Sequence, residues 1–107
     1  MSEVVDRIVA GFNARDLDAF ADGYAEQIVI EDACGRPLVR GLAELRARYG
    51  PMFASSPELR CEVLHRVAVG EYVVDEECVS GRAPERERLV VVYHLAGGAV
   101  DHERLVR

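Results

Sequence analysis

Acid–base chemistry near neutral pH needs a side chain whose proton affinity is set by its surroundings, and Asp32 is placed where that could happen. It ends the run Gln27-Ile28-Val29-Ile30-Glu31-Asp32. Alternate strand residues share a face, so Ile28, Ile30 and Asp32 point one way and Val29 and Glu31 the other. A carboxylate in line with two isoleucines stands either at a solvated rim or inside a pocket. In an apolar pocket its pKa rises and it can work as a general base. Further candidates lie in the last hairpin. Gly97-Gly98 signals a two-residue turn, and pairing outward from it sets Ala96 against Ala99, Tyr93 against His102 and Val91 against Arg104. Opposed residues share a face, which groups Leu89, Val91, Tyr93, His102, Arg104 and Val106. His102 would then share the base role with Asp32, and Arg104 would hold a carboxylate or stabilise an enolate. A slip of one residue would turn His102 and Arg104 outward and Asp101 and Glu103 inward.

These residues need elements to position them. Val4, Val5, Ile8, Val9 and Phe12 follow helical spacing over residues 3–13, and Asp16 is a natural N-cap for a second helix carrying Leu17, Ala19, Phe20 and Tyr24. A strand over 27–32, a turn over 33–37 and a short return segment over 38–40 come next. Gly41 opens a third helix with Leu42, Leu45, Tyr49, Met52 and Phe53 near one face, which Pro51 ends or kinks. From Leu59 the period is two: Leu59, Cys61, Val63, His65, Val67 and Val69 alternate with more polar partners. Strands over 72–80, 88–95 and 100–106 complete the chain. Helices followed by strands predict an α+β domain over 1–107, its helices on one face of a mostly antiparallel sheet. A long sheet curled around a helical layer makes a cone with a mouth, where a ligand can enter.

With 107 residues, half of them hydrophobic and 30% charged, the chain has the composition of one globular domain. A formal charge of −6 and the lack of a Lys/Arg run exclude a nucleic-acid or membrane surface as partner. No stretch approaches the roughly 18 apolar residues of a membrane span. Charges at Glu3, Asp6 and Arg7 stand where a signal peptide needs an apolar segment, so a cytoplasmic location is expected. Cys34, Cys61 and Cys78 form no CxxC pair and read as free thiols. His65, His94 and His102 have no ligand spacing with them, so neither a metal nor a cofactor is expected.

Three segments together resemble the nuclear transport factor 2-like superfamily, in its SnoaL-like and ketosteroid isomerase-like branch. They are the helix from Asp6 to Phe20, the pair Val29-Ile30-Glu31-Asp32 and Arg40-Gly41-Leu42-Ala43-Glu44-Leu45-Arg46, and the ending from Val91 through Val100. The resemblance spans essentially the whole chain. It implies a cone-shaped, cystatin-like α+β fold, commonly dimeric, with a pocket between helices and concave sheet. It places Asp32 at the isomerases' base position and Tyr49 at a supporting tyrosine. The oxyanion-hole tyrosine and protonated acid of those enzymes correspond to Ile8 and about Val91, neither of which donates a hydrogen bond. Authentic steroid isomerase activity is therefore not expected. The resemblance also turns Val91 to the concave side, which carries His102 and Arg104 with it, and turns Val74, Glu76 and Cys78 inward.

The expected site is then Asp32 and His102 as catalytic groups, with Tyr24, Tyr49, Glu76, Cys78, Val91, Tyr93 and Arg104 around a small hydrophobic molecule. Glu76 would orient His102 or share a proton with Asp32, or simply pair with Arg104. His94, among Val90 and Val92, marks an outer sheet face suited to a homodimer. Two classes of function fit. One is an isomerase-, cyclase- or hydrolase-type enzyme doing proton transfer. The other is a binding or dimerisation module that holds its ligand unchanged.

Overall fold

The computed structural model describes residues 2–107. Its first elements are α1 (Glu3–Ala14) and α2 (Leu17–Ala21). Ser2 Oγ accepts from the Val5 N–H at 3.2 Å and Asp16 Oδ1 from the Ala19 N–H at 3.1 Å, so each helix starts on a side-chain cap. Gly11 lets the two helices touch, since a Cβ there would lie 2.5 Å from the Phe20 backbone nitrogen.

Next come β1 (Tyr24–Asp32), β2 (Pro37–Arg40) and α3 (Gly41–Ser55). The first strand thus begins at Tyr24 rather than Gln27, and Pro51 stays inside a helix that continues to Ser55. The remaining strands are β3 (Arg60–Val69), β4 (Tyr72–Ser80), β5 (Glu87–Ala96) and β6 (Ala99–Val106). The sheet order is β2-β1-β6-β5-β4-β3, antiparallel throughout except for the parallel pair β1–β6. The helices pack against this curved, unclosed mixed sheet, as the α+β reading predicts.

The sandwiched layer is apolar: Val5, Ile8, Ile28, Ile30, Val39, Leu45, Leu59 and Val91 are buried. Phe12, Phe20, Tyr24, Tyr49 and Phe53 form an aromatic cluster with neighbouring ring centroids 4.8 to 6.1 Å apart. Polar pins fix the helices on the far strand. The Asn13 side chain donates to the Cys61 carbonyl at 3.0 Å and accepts from its N–H at 2.7 Å. Asp75 is fully buried and takes two bonds from the Arg66 guanidinium, at 2.7 and 2.9 Å, while Arg66 also donates to Asp6 of α1.

Two irregularities set which side chains face the helices. On β3, the register shifts between Val63 and His65, with Leu64 the extra residue. Beyond it Arg66 turns inward, whereas Val67 and Val69 are 59% and 70% exposed. On β6, Ala96 pairs with Ala99 and Leu95 with Val100, but His94 pairs with His102, so Asp101 is the extra residue. The tight turn is as expected: Gly97 and Gly98 both take positive φ, 61° and 80°. Its register survives for only two pairs.

Candidate functional site

The bulge at Asp101 decides which groups enter the space between helices and sheet. Past it Tyr93 opposes Glu103 and Val91 opposes Leu105. Glu103 and Leu105 are buried on the helix side, and His102 and Arg104 lie on the outer face. On β4 the row facing the helices is Val73, Asp75 and Glu77, all buried and paired with Tyr93, Val91 and Leu89. Glu76 therefore points outward.

A cavity with an open mouth results, of about 620 Å³ when the mouth is counted. Ile8, Val9, Phe12, Phe20, Leu89, Val91 and Leu105 give it apolar walls. Tyr24, Tyr49, Tyr93, Cys61, Glu77 and Glu103 add polar groups inside.

Glu103 is 3% exposed and accepts a hydrogen bond from the Tyr24 hydroxyl at 2.7 Å. Burial raises its pKa to about 8; the Tyr24 bond pulls down and the Glu77 charge pushes up. Its carboxyl is thus largely protonated at neutral pH. Glu77, 5% exposed, takes the Tyr93 hydroxyl at 3.1 Å. Burial raises its pKa too and the Asp75 charge adds to the rise, while hydrogen bonds from the Cys61 thiol and the Tyr93 hydroxyl and the Arg66 charge favour its ionised form. Glu77 thus has three aids to ionisation where Glu103 has the Tyr24 bond, and the Glu77 charge helps keep Glu103 neutral. The pair can offer one carboxylate and one carboxylic acid to the same molecule. Burial pushes the Tyr24 and Tyr93 hydroxyls well above the ordinary tyrosine range, so both stay protonated donors.

Tyr24, Tyr49, Val91 and Tyr93 line this cavity. The other expected site residues do not, and each placement is corrected for a physical reason. Asp32 shares the face of Ile28 and Ile30 but stands past the core edge, one-third exposed, where Oδ1 accepts from the Cys34 and Arg36 N–H groups, both at 2.9 Å. Those bonds, the Arg36 one foremost, lower its pKa; it is the anchor of a turn. His102 Nε2 and Arg104 both bond Glu31 Oε1 on the outer face, at 2.9 and 2.8 Å. Glu76 bonds His65 Nδ1 at 2.9 Å and pairs with Arg88, also outside. Cys78 is buried, yet it alternates with Glu77 and Val79 and does not reach the cavity.

Glu77 and Glu103 had no place in the expected site. A signal for Glu103 did exist: the apolar residues Val100 and Leu105 are five positions apart, an odd offset that brings both to one face only with an extra residue in the strand. For Glu77 the resemblance points elsewhere, to the row of Val74, Glu76 and Cys78. Only the partners Arg66, Tyr93 and Cys61 make the acidic row tolerable inside.

Among the described residues, no group of three or more His, Cys, Asp or Glu is arranged to hold a metal ion, and no helix is long and apolar enough to cross a membrane. The family model for the SnoaL-like domain matches residues 5–102. The chain belongs to that family. This SnoaL-like domain is similar over 100% of its length to 99% of an uncharacterised cystatin-fold protein from Novosphingobium aromaticivorans, with 25% identity and a TM-score of 0.91. A candidate polyketide cyclase from Sinorhizobium meliloti is similar at 19% identity and TM-score 0.85, over 98% of this chain and 94% of that one. A candidate ketosteroid isomerase from Kribbella flavida follows at 17% identity and TM-score 0.83, over 96% and 73%. Likeness at these identities is a likeness of fold. A search of curated proteins found no match.

Proposed function

We propose that the cavity binds a small, largely apolar carbonyl compound and moves a proton on it. Glu77 as carboxylate takes a proton from the carbon beside the carbonyl. Glu103 as neutral acid donates a hydrogen bond to the carbonyl oxygen and supports the enolate that forms. Return of the proton to the same or a conjugated carbon regenerates Glu77 and gives exchange or isomerisation. The observation that carries this reading is the pair of buried carboxyls, each held by a tyrosine hydroxyl, in one apolar cavity with an open mouth. An apolar site keeps a carboxylic acid neutral at pH 7 so that it can donate, which supplies the donor that Ile8 and Val91 lack.

The test is α-proton exchange on cyclohexanone in D2O, followed by NMR. The protein should accelerate exchange, and Glu77→Gln or Glu103→Gln should slow it by about 10²–10⁴-fold. Exchange that needs an ionised Glu77 and a protonated Glu103 falls off above about pH 8. Acceleration that survives both substitutions would overturn the proposal. A binding-only reading is favoured by one fact: among the described residues, every buried side-chain polar atom already has a partner. Ligand binding with no exchange would establish that reading instead.

A second copy is the proposed partner of the outer sheet face. Val67, Val74 and Val92 lie in cross-strand register there, with Val69 and Tyr72 exposed beside them. The face's charges are already paired within it, Glu31 with His102 and Arg104 and Glu76 with His65 and Arg88, so two copies of an acidic chain can approach without repulsion there. Sedimentation should show a dimer that Val67→Glu with Val92→Glu converts to monomer; a monomeric parent would overturn it.

A further inference from the structure

We infer that the ligand carries an anionic group, a carboxylate in the simplest case, which stays at the cavity mouth on Arg48, Arg82 and Arg107 while its apolar body enters. This rests on the cavity being the functional site, and it names the class of molecule that site takes. Three separate parts of the chain deliver the arginines: α3, the β4–β5 connection and the residue after β6. All three line the cavity.

Their own pairing leaves positive charge over. Glu87 accepts from Arg82 at 2.9 Å and is ion-paired with Arg107 Nε at 3.1 Å, so one carboxylate serves two guanidiniums. Arg48 has no carboxylate partner among the described residues. Three cations against one anion give the rim two uncompensated charges, in a chain whose net charge is −6. Their charge is felt inside: burial raises the Tyr49 hydroxyl pKa, and Arg48 and Arg107 both pull against that rise. Guanidiniums grip carboxylates through paired donors and are more weakly hydrated than ammonium groups, which suits them to a half-exposed rim. Below the rim the walls are aromatic and aliphatic, and the acids lie deeper, on the sheet. An anion therefore has one favourable place, the mouth. Repulsion from ionised Glu77 keeps it from going further and fixes which end of the molecule meets the acids.

The experiment compares 4-phenylbutanoate with 4-phenylbutanamide, equal in body and different in charge, by calorimetric titration. The acid should bind about tenfold tighter or more, and that preference should shrink as salt is raised from about 0.05 to about 0.5 M. In Arg48→Gln with Arg107→Gln, both exposed positions, the preference should fall to about one, with the melting temperature reporting that the fold is kept. Equal affinities in the parent, no binding of either compound, or a preference that persists in the double variant would each overturn the inference. The cyclohexanone assay uses a neutral molecule and reads the proton chemistry separately. Exchange without acid preference removes the anion inference alone, and acid preference without exchange removes the proton chemistry alone.

Discussion

The two faces of the sheet carry the same residue types in opposite states. On the outer face Glu31 meets His102 and Arg104, and its pKa is lowered, chiefly by the Arg104 hydrogen bond and then by His102. On the helix side Glu103 meets a tyrosine and aliphatic walls, and burial raises its pKa to about 8. One strand, β6, supplies both sets from adjacent positions, 102 and 104 outside and 103 inside. Cationic partners in solvent stabilise an anion, whereas a lone hydroxyl in an apolar cavity does not make up for lost water. The outer cluster has the better-looking catalytic inventory, with an imidazole, a guanidinium and a carboxylate. The inner pair has the environment that chemistry needs.

That contrast is broken most severely by taking the cationic partner away from Asp75, the inner carboxylate that is ion-paired. Arg66→Met leaves Asp75 buried and uncompensated, and should cost about 3–5 kcal/mol in urea denaturation. A loss under about 1 kcal/mol would show that Asp75 gains water cheaply, and the inner face would be less dry than its burial indicates.

The next largest effect is on pH dependence. Folded, the Glu103 carboxyl keeps its proton up to about pH 8; unfolded, it releases it near 4.5. Between those values the folded chain holds a proton that the unfolded chain lacks. Stability from this group is therefore greatest below about pH 4.5 and falls as pH rises toward 8, by several kcal/mol at roughly 1.4 kcal/mol per pH unit. Glu103→Gln should flatten that slope in denaturation curves taken at about pH 5 and pH 8. Glu31 acts in the opposite sense: its contribution is present above its ordinary pKa of 4.5 and is lost as pH falls through the lowered value. A slope unchanged by Glu103→Gln would sink the picture of a neutral inner acid.

The smallest effects belong to the outer and rim residues. Asp32→Asn and His102→Gln should each leave the melting temperature nearly unchanged and cyclohexanone exchange within about twofold of the parent. A large loss of exchange in either variant would move the chemistry back to the residues first expected to perform it.

Much of the fold was legible because local rules were obeyed. The cap at Asp16, helical spacing through Phe12 and the Gly97-Gly98 turn lie where those residues put them, and the period of two from Leu59 holds as far as Leu64. Tyr49, Tyr93 and Val91 line the cavity with the resemblance as their guide, whereas Tyr24 reaches it from β1 and not from the second helix where the spacing puts it. Site reading failed at Asp101, where one extra residue reversed every later side chain on β6. It failed again on β4, where the connection from Gly81 to Arg86 fixes no register and the resemblance turned Val74, Glu76 and Cys78 inward in place of Asp75 and Glu77.

By itself, then, the sequence determined most of the elements, their order, and the aromatic and aliphatic stock of the core. Those depend on composition, period and capping, which act over a few residues, and the resemblance of whole motifs added the family. Tertiary structure alone decided which carboxylates are in the dark. Asp32 lies where β1 outruns the core and keeps its water; Glu103 lies where a bulge turns β6 over and loses it. Proton affinity follows from that burial, and burial is a property of the assembled layers.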